Sequence, residues 1–416
     1  MVANQEIRAP HADDCASAGG FLSLFEAPEP IVGLAPMAGF TESSFRSICA
    51  DEGASFTVTE LVSARGIRFD HKLTRSERYL MPTKGERPWG IQLFGFDPDD
   101  FSYAIERLLS DPDYASSSFI DINMGCPVQK VVRDGGGAAL MKTPELAGEI
   151  VAASVKAASS YGTPVTVKIR SGFDADHINA PTIARIAEEA GAAAVTVHAR
   201  TRDQYYSGQA DWQVIRRVRE TISIPLFGNG DITSFNDLIR MKSETQCDGF
   251  LIGRAARGNP FLFHLIRRAC QGDMSLHTAH RCLPCSVSSE KSRNSVGTRS
   301  AYRHWKAPCG YNDTQIAESG RTLTFQEQTL LDVPSDYWLE ITTRHLDDMI
   351  FNLGEYTAIR EMRTQFAHYF RGFHGASGLR NRIMQQEKRD GVVALLEEAA
   401  QQREASRLIF RDATRS

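Results

Sequence analysis

Long apolar runs are missing from this 416-residue chain. No stretch approaches the roughly 20 apolar residues that a helical membrane span needs, so none is expected. An excess of one charge is missing too. Lys and Arg number 47 against 51 Asp and Glu, a formal net charge of −4, so any grip on a polyanion has to come from a local patch. Cysteine is sparse, with eight scattered along the chain at 15, 49, 126, 247, 270, 282, 285 and 309. That dilution argues against a disulfide framework and for reduced thiols in the cytoplasm. The N-terminus, MVANQEIRAPHADDCASAGG, has no hydrophobic signal core and reads as a flexible tail over residues 1–25. No GxGxxG follows the first apolar run, which disfavours an open doubly wound sheet.

What is present is enough apolar residue, 42%, for a sizeable core. The length suits a barrel with an appendage. Short β-rich runs recur: IVGLAPM (31–37), SFTVTEL (55–61), WGIQLFG (89–95), FIDINMG (119–125), PVTVKIR (164–170), AAVTVHA (193–199), IPLFGNG (224–230) and GFLIGRA (249–255). Amphipathic stretches such as TPELAGEIVAASVKAAS (143–159) separate them. Buried strands alternating with helices predict parallel β-structure with crossover helices, here an eight-stranded α/β (TIM) barrel.

In such barrels chemistry gathers where strands end. The ends here carry Gln92, Asn123 with Cys126, Lys168 with Arg170, His198 with Arg200, Asn229 with Asp231, and Arg254. Each alone has a plain structural explanation, such as a hydrogen-bonded core histidine. A desolvated polar ring is costly, however, unless it is paired or holds a polar ligand. GNGDI (228–232) and GRAARGNPFLF (253–263) are glycine-containing turns after the last two strands, where barrels often bind phosphate. Lys168, inside an apolar run, needs an anionic or accepting partner; a structural ion pair or the pyrimidine edge of a reduced flavin would both serve. With the apolar turn Pro36–Met37–Ala38, these features suggest FMN.

At this point the chain resembles the tRNA-dihydrouridine synthases of bacterial type. The matching segments run in family order over 31–263: LAPMAGFTESSFRSICADEGA, TELVSARG, IQLFG, IDINMGCPVQKVVRDGGGAALM, VTVKIRSGF, TVHARTRDQYYSGQADW, FGNGDI and DGFLIGRAARGNP. The resemblance implies an FMN enzyme, reduced by NADPH, that converts uridines of tRNA to 5,6-dihydrouridine. Hydride goes to C6, and Cys126 gives a proton to C5. It further implies that Pro36, Met37 and Ala38 lie along FMN, that Gln92 and Lys168 bind its ring, and that Asn229, Gly230, Asp231, Gly253 and Arg254 hold its phosphate end. Asn123, His198 and Arg200 line the flavin and uracil pocket, His198 on the flavin and Asn123 and Arg200 on the substrate.

A helical C-terminal domain, 336–416, is expected to bind tRNA. Residues 356–386 hold five arginines (Arg360, Arg363, Arg371, Arg380, Arg382) against Glu361. At helical spacing, Ile359, Met362, Phe366, Phe370 and Phe373 form an apolar stripe beside one carrying Arg360, Arg363 and Arg371. Between this domain and the barrel domain, 26–270, residues 271–335 are poor in apolar periodicity and read as a poorly ordered insertion. Its Cys282-x-x-Cys285, with Cys309 and His277, His280 or His304, lacks a second pair at zinc spacing, so no metal is expected. A monomer is expected. Two rival readings are a flavin barrel reductase of a small molecule, which has no use for an arginine-rich helical domain, and an inactive tRNA-binding protein, which has none for Cys126 or Lys168.

Overall fold

The computed structural model describes residues 20–26, 29–70, 72–82, 86, 88–270, 315–316, 322–323 and 333–413. The cysteines and histidines expected to lie between 277 and 309 fall outside these residues, as does most of the expected tail and insertion. Two units emerge, one centred on residues 31–231 with 241–253, the other on 254–416 with 27–30 and 232–240. Among the described residues no helix is long and apolar enough to cross a membrane.

The first unit is the expected barrel. Its strands are β1 (Ile31–Leu34), β2 (Thr57–Val58), β3 (Val62–Ser63), β4 (Trp89–Phe94), β5 (Phe119–Met124), β6 (Val165–Arg170), β7 (Ala194–His198), β8 (Leu226–Asn229) and β9 (Gly249–Ile252). They pair in the order β1-β9-β8-β7-β6-β5-β4-β2, with β3 also on β4. All of these pairings are parallel. The ring closes where Leu34 N–H donates to Phe56 O (3.0 Å) and Ser55 N–H to Val32 O (2.8 Å). Each of the eight apolar runs supplies a strand; the added β3 is too short to show a period. Crossover helices cover the outside. In α4 (Pro98–Leu109) Asp97 caps the start by accepting from Asp99 N–H, Pro98 occupies the first turn, and Phe101, Ala104, Ile105 and Leu108 are buried.

The floor of the barrel explains three strand glycines. A Cβ on Gly33 would lie 2.5 Å from the Phe56 ring and one on Gly249 2.5 Å from the Phe227 ring; one on Gly90 would strike Phe119. Small residues on β1, β4 and β9 thus make room for large ones contributed by neighbouring strands. Phe21 then plugs this layer from below, its ring centroid 4.8 Å from Phe119, 6.4 Å from Phe56 and 6.3 Å from Phe227. Phe21–Phe25 is a short 3-10 turn with Phe21 only 2% exposed. The expected flexible tail therefore has to be corrected at its end: Phe21 is buried in the barrel floor, while Leu22 beside it stays exposed.

In the second unit, α11 (Ser335–Leu353) packs on α12 (Glu355–Tyr369) and α14 (Arg389–Ala413), and α13 (Ala376–Ile383) bridges α12 and α14. Trp338, Ile359, Met362, Phe366, Tyr369 and Phe370 are buried, so the apolar stripe is core. The expected helix is interrupted, however. Residues 370–375 are not helical, and Gly372 (φ 81°) and Gly375 (φ 79°) turn the chain left-handed there. Arg371 consequently lies in the break rather than on the face that carries Arg360 and Arg363. Residues 254–270, drawn from sequence as part of the barrel, fall in this unit: the Phe261 ring packs on Tyr337 at 5.8 Å.

Truncating the plug tests its weight. Phe21→Ala should lower the stability of the barrel by about 3 kcal/mol, the usual scale for a buried phenylalanine, read as a shift of the urea midpoint at unchanged m-value.

Candidate active site at the mouth of the barrel

In a strand every second residue faces one way, and in-register pairing turns these into rows across the barrel. One row joins Gln92 to Asp121 and Asp121 to Thr166; the next, nearer the mouth, joins Asn123 to Lys168 and Lys168 to Thr196; a third joins Arg170 to His198 and His198 to Asn229. Gln92, Asn123, Lys168, His198 and Asn229, singled out from sequence, are thereby brought into one ring.

The first two rows are bonded to each other. Asn123 Oδ1 accepts from the N–H groups of Gly125 (3.0 Å) and Cys126 (2.8 Å). Its Nδ2 donates to Gln92 Oε1 (2.8 Å), and Gln92 Nε2 donates to Asp121 Oδ2 (2.6 Å). The other Asp121 oxygen accepts from Thr166 Oγ1 (2.7 Å). Cys126 therefore sits at the end of a buried relay that begins on another strand.

The Cys126 turn is also held from its other side. Arg170 Nε donates to Gly125 O (2.7 Å), while its Nη1 donates to Thr201 O (2.7 Å) and Tyr205 O (3.0 Å). Tyr205 Oη donates to Pro127 O (2.8 Å). The glycine loop completes the enclosure. Gly137 has φ 57°, its Cβ would lie 2.8 Å from Cys126 O, and Ala138 N–H donates to that same oxygen (3.0 Å). A left-handed backbone without space for a side chain requires glycine here.

Cys126 is 8% exposed. Burial pushes its thiol pKa up, and the N–H of Val128 with the charges of Arg170 and Lys168 pulls only partly back. At neutral pH the group keeps its proton, as an acid must. Lys168 is partly exposed, and among the described residues nothing accepts a hydrogen bond from its ammonium. Its pKa is lowered to about 8 by burial first and Arg170 second, against the opposing pull of Asp121 and Cys126. It is cationic below about pH 8 and loses charge above.

Around the last strands the residues sort differently. Gly230 (φ 121°) and Asp231 (φ 56°) form a left-handed turn. Trp212 Nε1 donates to Gly230 O (3.0 Å), and Asp231 Oδ2 accepts from Ala210 N–H (2.8 Å) and from Arg200 Nη2 (2.7 Å). Arg200 is 2% exposed and also donates to Ser207 O and Gly208 O. Arg200 and Asp231, expected on substrate and cofactor, are thus bound to one another and tie the loop after β7 to the turn after β8. Asn229 Nδ2 donates to Leu251 O (2.8 Å). Pro36, Met37 and Ala38 begin a turn in which the Thr41 hydroxyl bonds both the N–H and the carbonyl of Met37, leaving Ala38 exposed. Gly253 follows β9 beside Met37, whose Sδ would lie 3.5 Å from an added Cβ. Arg254 falls in the second unit.

The sequence model of the dihydrouridine synthase (Dus) family matches residues 33–310. The chain belongs to the dihydrouridine synthase family. Among curated relatives, the probable tRNA-dihydrouridine synthase of Aquifex aeolicus is 41% identical over 235 residues, covering 55% of this chain and 70% of that one. A probable tRNA-dihydrouridine synthase of Mycobacterium tuberculosis is 43% identical over 255 residues, 59% of this chain and 64% of that one. The tRNA-dihydrouridine synthase B of Xanthomonas axonopodis is 41% identical over 237 residues, covering 56% and 68%. The family match takes in the strands from Gly33 to β9 and ends before α11, so the helices that carry the arginines lie outside it.

Sequence reasoning missed Asp121, Thr166, Tyr205 and the clamping role of Arg170. One signal was available: Asp121 and Asn123, like Thr166, Lys168 and Arg170, alternate within apolar strands and so share the inward face.

Removing Lys168 takes away one of the two cations that lower the Cys126 pKa. In Lys168→Met the pH midpoint of Cys126 alkylation, followed by peptide-resolved iodoacetamide labelling, should rise by up to about one unit.

Proposed function

We propose that the protein reduces the C5=C6 bond of uridines in tRNA to 5,6-dihydrouridine, with FMN as cofactor, NADPH as reductant and Cys126 as proton donor. The observation that carries this reading is the enclosure of one protonated thiol at a barrel mouth, beside a lysine with no acceptor of its own among the described residues.

The mouth suits a flat, accepting group. Lys168 offers an uncommitted donor, the turn at Gly230 presents backbone without side chain, and no Cβ narrows the chain at Gly253. Gln92 and Lys168 would hold the flavin ring, Pro36, Met37, Ala38 and His198 would lie along it, and Asn229, Gly230, Asp231 and Gly253 would hold its phosphate end. With Asp231 bonded to Arg200, its carboxylate is committed to the loop after β7 rather than turned toward an anion. FMN when bound supplies the hydride for C6 of the uracil.

The chain's own residues do the rest. Cys126 holds a proton on Sγ for C5, and burial retains that proton until a developing carbanion takes it. Asn123 holds the Gly125–Cys126 backbone in place, and Arg170 with Tyr205 keeps the loops around it closed. A uridine inside folded tRNA must leave its stack to reach such a depth. In the helical unit Arg360 is exposed, 3.6 Å over the Tyr356 ring, and is the best placed of the arginines for a phosphate. Arg363 is half-buried and donates to Gln386 O (3.2 Å). Arg371 is half-buried; the pKa of His368 is lowered by burial first and by the Arg371 charge second.

Unmodified tRNA incubated with the protein, FMN and NADPH should gain dihydrouridine. Cys126→Ala should lose at least about 100-fold in rate, the usual worth of a positioned acid. NADPH oxidation that leaves tRNA unchanged would instead indicate a reductase of small molecules. Arg360→Ala should weaken tRNA binding for every sequence alike and reduce the salt dependence of binding by about one phosphate contact.

A further inference from the structure

Asp121 has no role in the function just described, yet it is an acid buried to 4% exposure in the middle of a β-strand. Its place follows from the direction of the hydrogen bonds above it. The N–H groups of Gly125 and Cys126 can only donate, so the Asn123 side chain must present its oxygen to them. Its amide nitrogen is then left to donate to Gln92, which must turn its own oxygen toward Asn123. Gln92 Nε2 is in turn left pointing down as a donor, and what lies there is Asp121 Oδ2 at 2.6 Å. A donor in that place would reverse Gln92 and Asn123 and set an amide N–H against two backbone N–H groups. Each unpaired buried group of that kind is costly.

The same carboxylate lies on the strand next to Lys168, one inward position below the Asn123–Lys168 pair. Three charged or titratable groups act on Lys168: Arg170 two residues on along the same strand, Cys126, and Asp121 on the neighbouring strand. Of the nearby groups Asp121 is the one that does not itself move a proton or clamp a loop.

We propose that Asp121 is a positioning residue: it anchors the Gln92–Asn123 relay that sets the Cys126 turn, and it is the counter-charge beneath Lys168. Its link to catalysis rests on the function proposed above, whereas its action on Cys126 and Lys168 does not. Burial raises the Asp121 carboxyl pKa, while the bonds from Gln92 and Thr166 and the Lys168 charge oppose that rise.

Two variants separate the two actions. Asp121→Asn can still accept from Gln92 through its oxygen, with its nitrogen facing a Thr166 hydroxyl free to rotate and accept, so the relay survives and the charge is lost. Asp121→Ala loses both. The full-length protein, with and without added FMN, would be labelled over a pH range with an amine-acylating reagent and with iodoacetamide, reading the Lys168 and Cys126 peptides by mass spectrometry. In Asp121→Asn the Lys168 labelling midpoint should fall by about one pH unit, while at about pH 6, where Lys168 stays cationic in both proteins, the Cys126 alkylation rate stays within twofold of wild type. In Asp121→Ala the Cys126 rate should rise roughly tenfold, the factor that loss of one buried hydrogen bond allows. An unmoved Lys168 midpoint in the Asn variant would overturn the counter-charge. An unchanged Cys126 rate in the Ala variant would overturn the anchor, and if that variant does not fold, an unchanged Cys126 rate in Gln92→Leu, which cuts the same relay one bond above Asp121, would do so instead. None of these labelling results depends on turnover, so a wild-type protein that makes no dihydrouridine would refute the proposed function while leaving the anchor to be judged by labelling.

Discussion

Side chains of a strand alternate between two faces, and closure of the sheet makes one of those faces the inside of a barrel. Because neighbouring strands are parallel and in register, an inward residue on one strand meets inward residues on the next. Every property of the mouth follows from that geometry. Polar letters placed two apart, as in Asp121 and Asn123 or Thr166, Lys168 and Arg170, cannot avoid one another. Burying them is unfavourable unless they bond together, which limits the arrangements the barrel can adopt. Asp121 therefore meets Thr166 and Gln92, and Asn123 meets Gln92, with distances between 2.6 and 2.8 Å.

The same alternation makes the floor apolar. Phe119 is two residues before Asp121 on β5, and Phe227 two before Asn229 on β8, so each aromatic ring lies directly below a polar position. Glycines at 33, 90 and 249 leave space for these rings, and Phe21 closes the layer. A packed floor of buried rings, Phe21, Phe56, Phe119 and Phe227, shields the relay from solvent below. Bonds within the relay then face no competition from solvent on that side, which is what lets a chain of amides hold one backbone turn in place.

How much of this was legible follows from range. The strands, the Cys126 turn and the glycine turns at 230 and 253 were readable because each is a local pattern. Asp121 was readable in principle from its period of two with Asn123, but its partner Gln92 is 29 residues away, and pairing across that distance is set by register rather than by any motif. Arg200 and Asp231 read as separate ligands because both sit at strand ends; their mutual bond depends on how the loop after β7 folds back over the turn after β8. Phe21 read as tail because the stretch before it, residues 1–20, is polar, while its barrel contacts lie 35 to about 200 residues onward. The break after Tyr369 was visible as two glycines, yet the apolar spacing ran straight through it, since Phe370 and Phe373 stay buried without being helical.

The charges of the mouth are arranged so that no single group can change alone. Arg170 lowers the pKa of both Cys126 and Lys168, and Lys168 lowers that of Cys126. Arg170 itself, pushed down to about 10 by burial, spends its donors on the carbonyls of Gly125, Thr201 and Tyr205. Its charge is thus fixed in position by the same bonds that close the loops over Cys126. Opening those loops would move the cation away from the thiol and let water in, and the two changes have opposite effects: losing the cation raises the thiol's pKa, whereas solvation lowers it. A thiol that must remain protonated until the moment of transfer is better served by the closed state, in which burial is the largest influence on its pKa and the nearby cations only temper it.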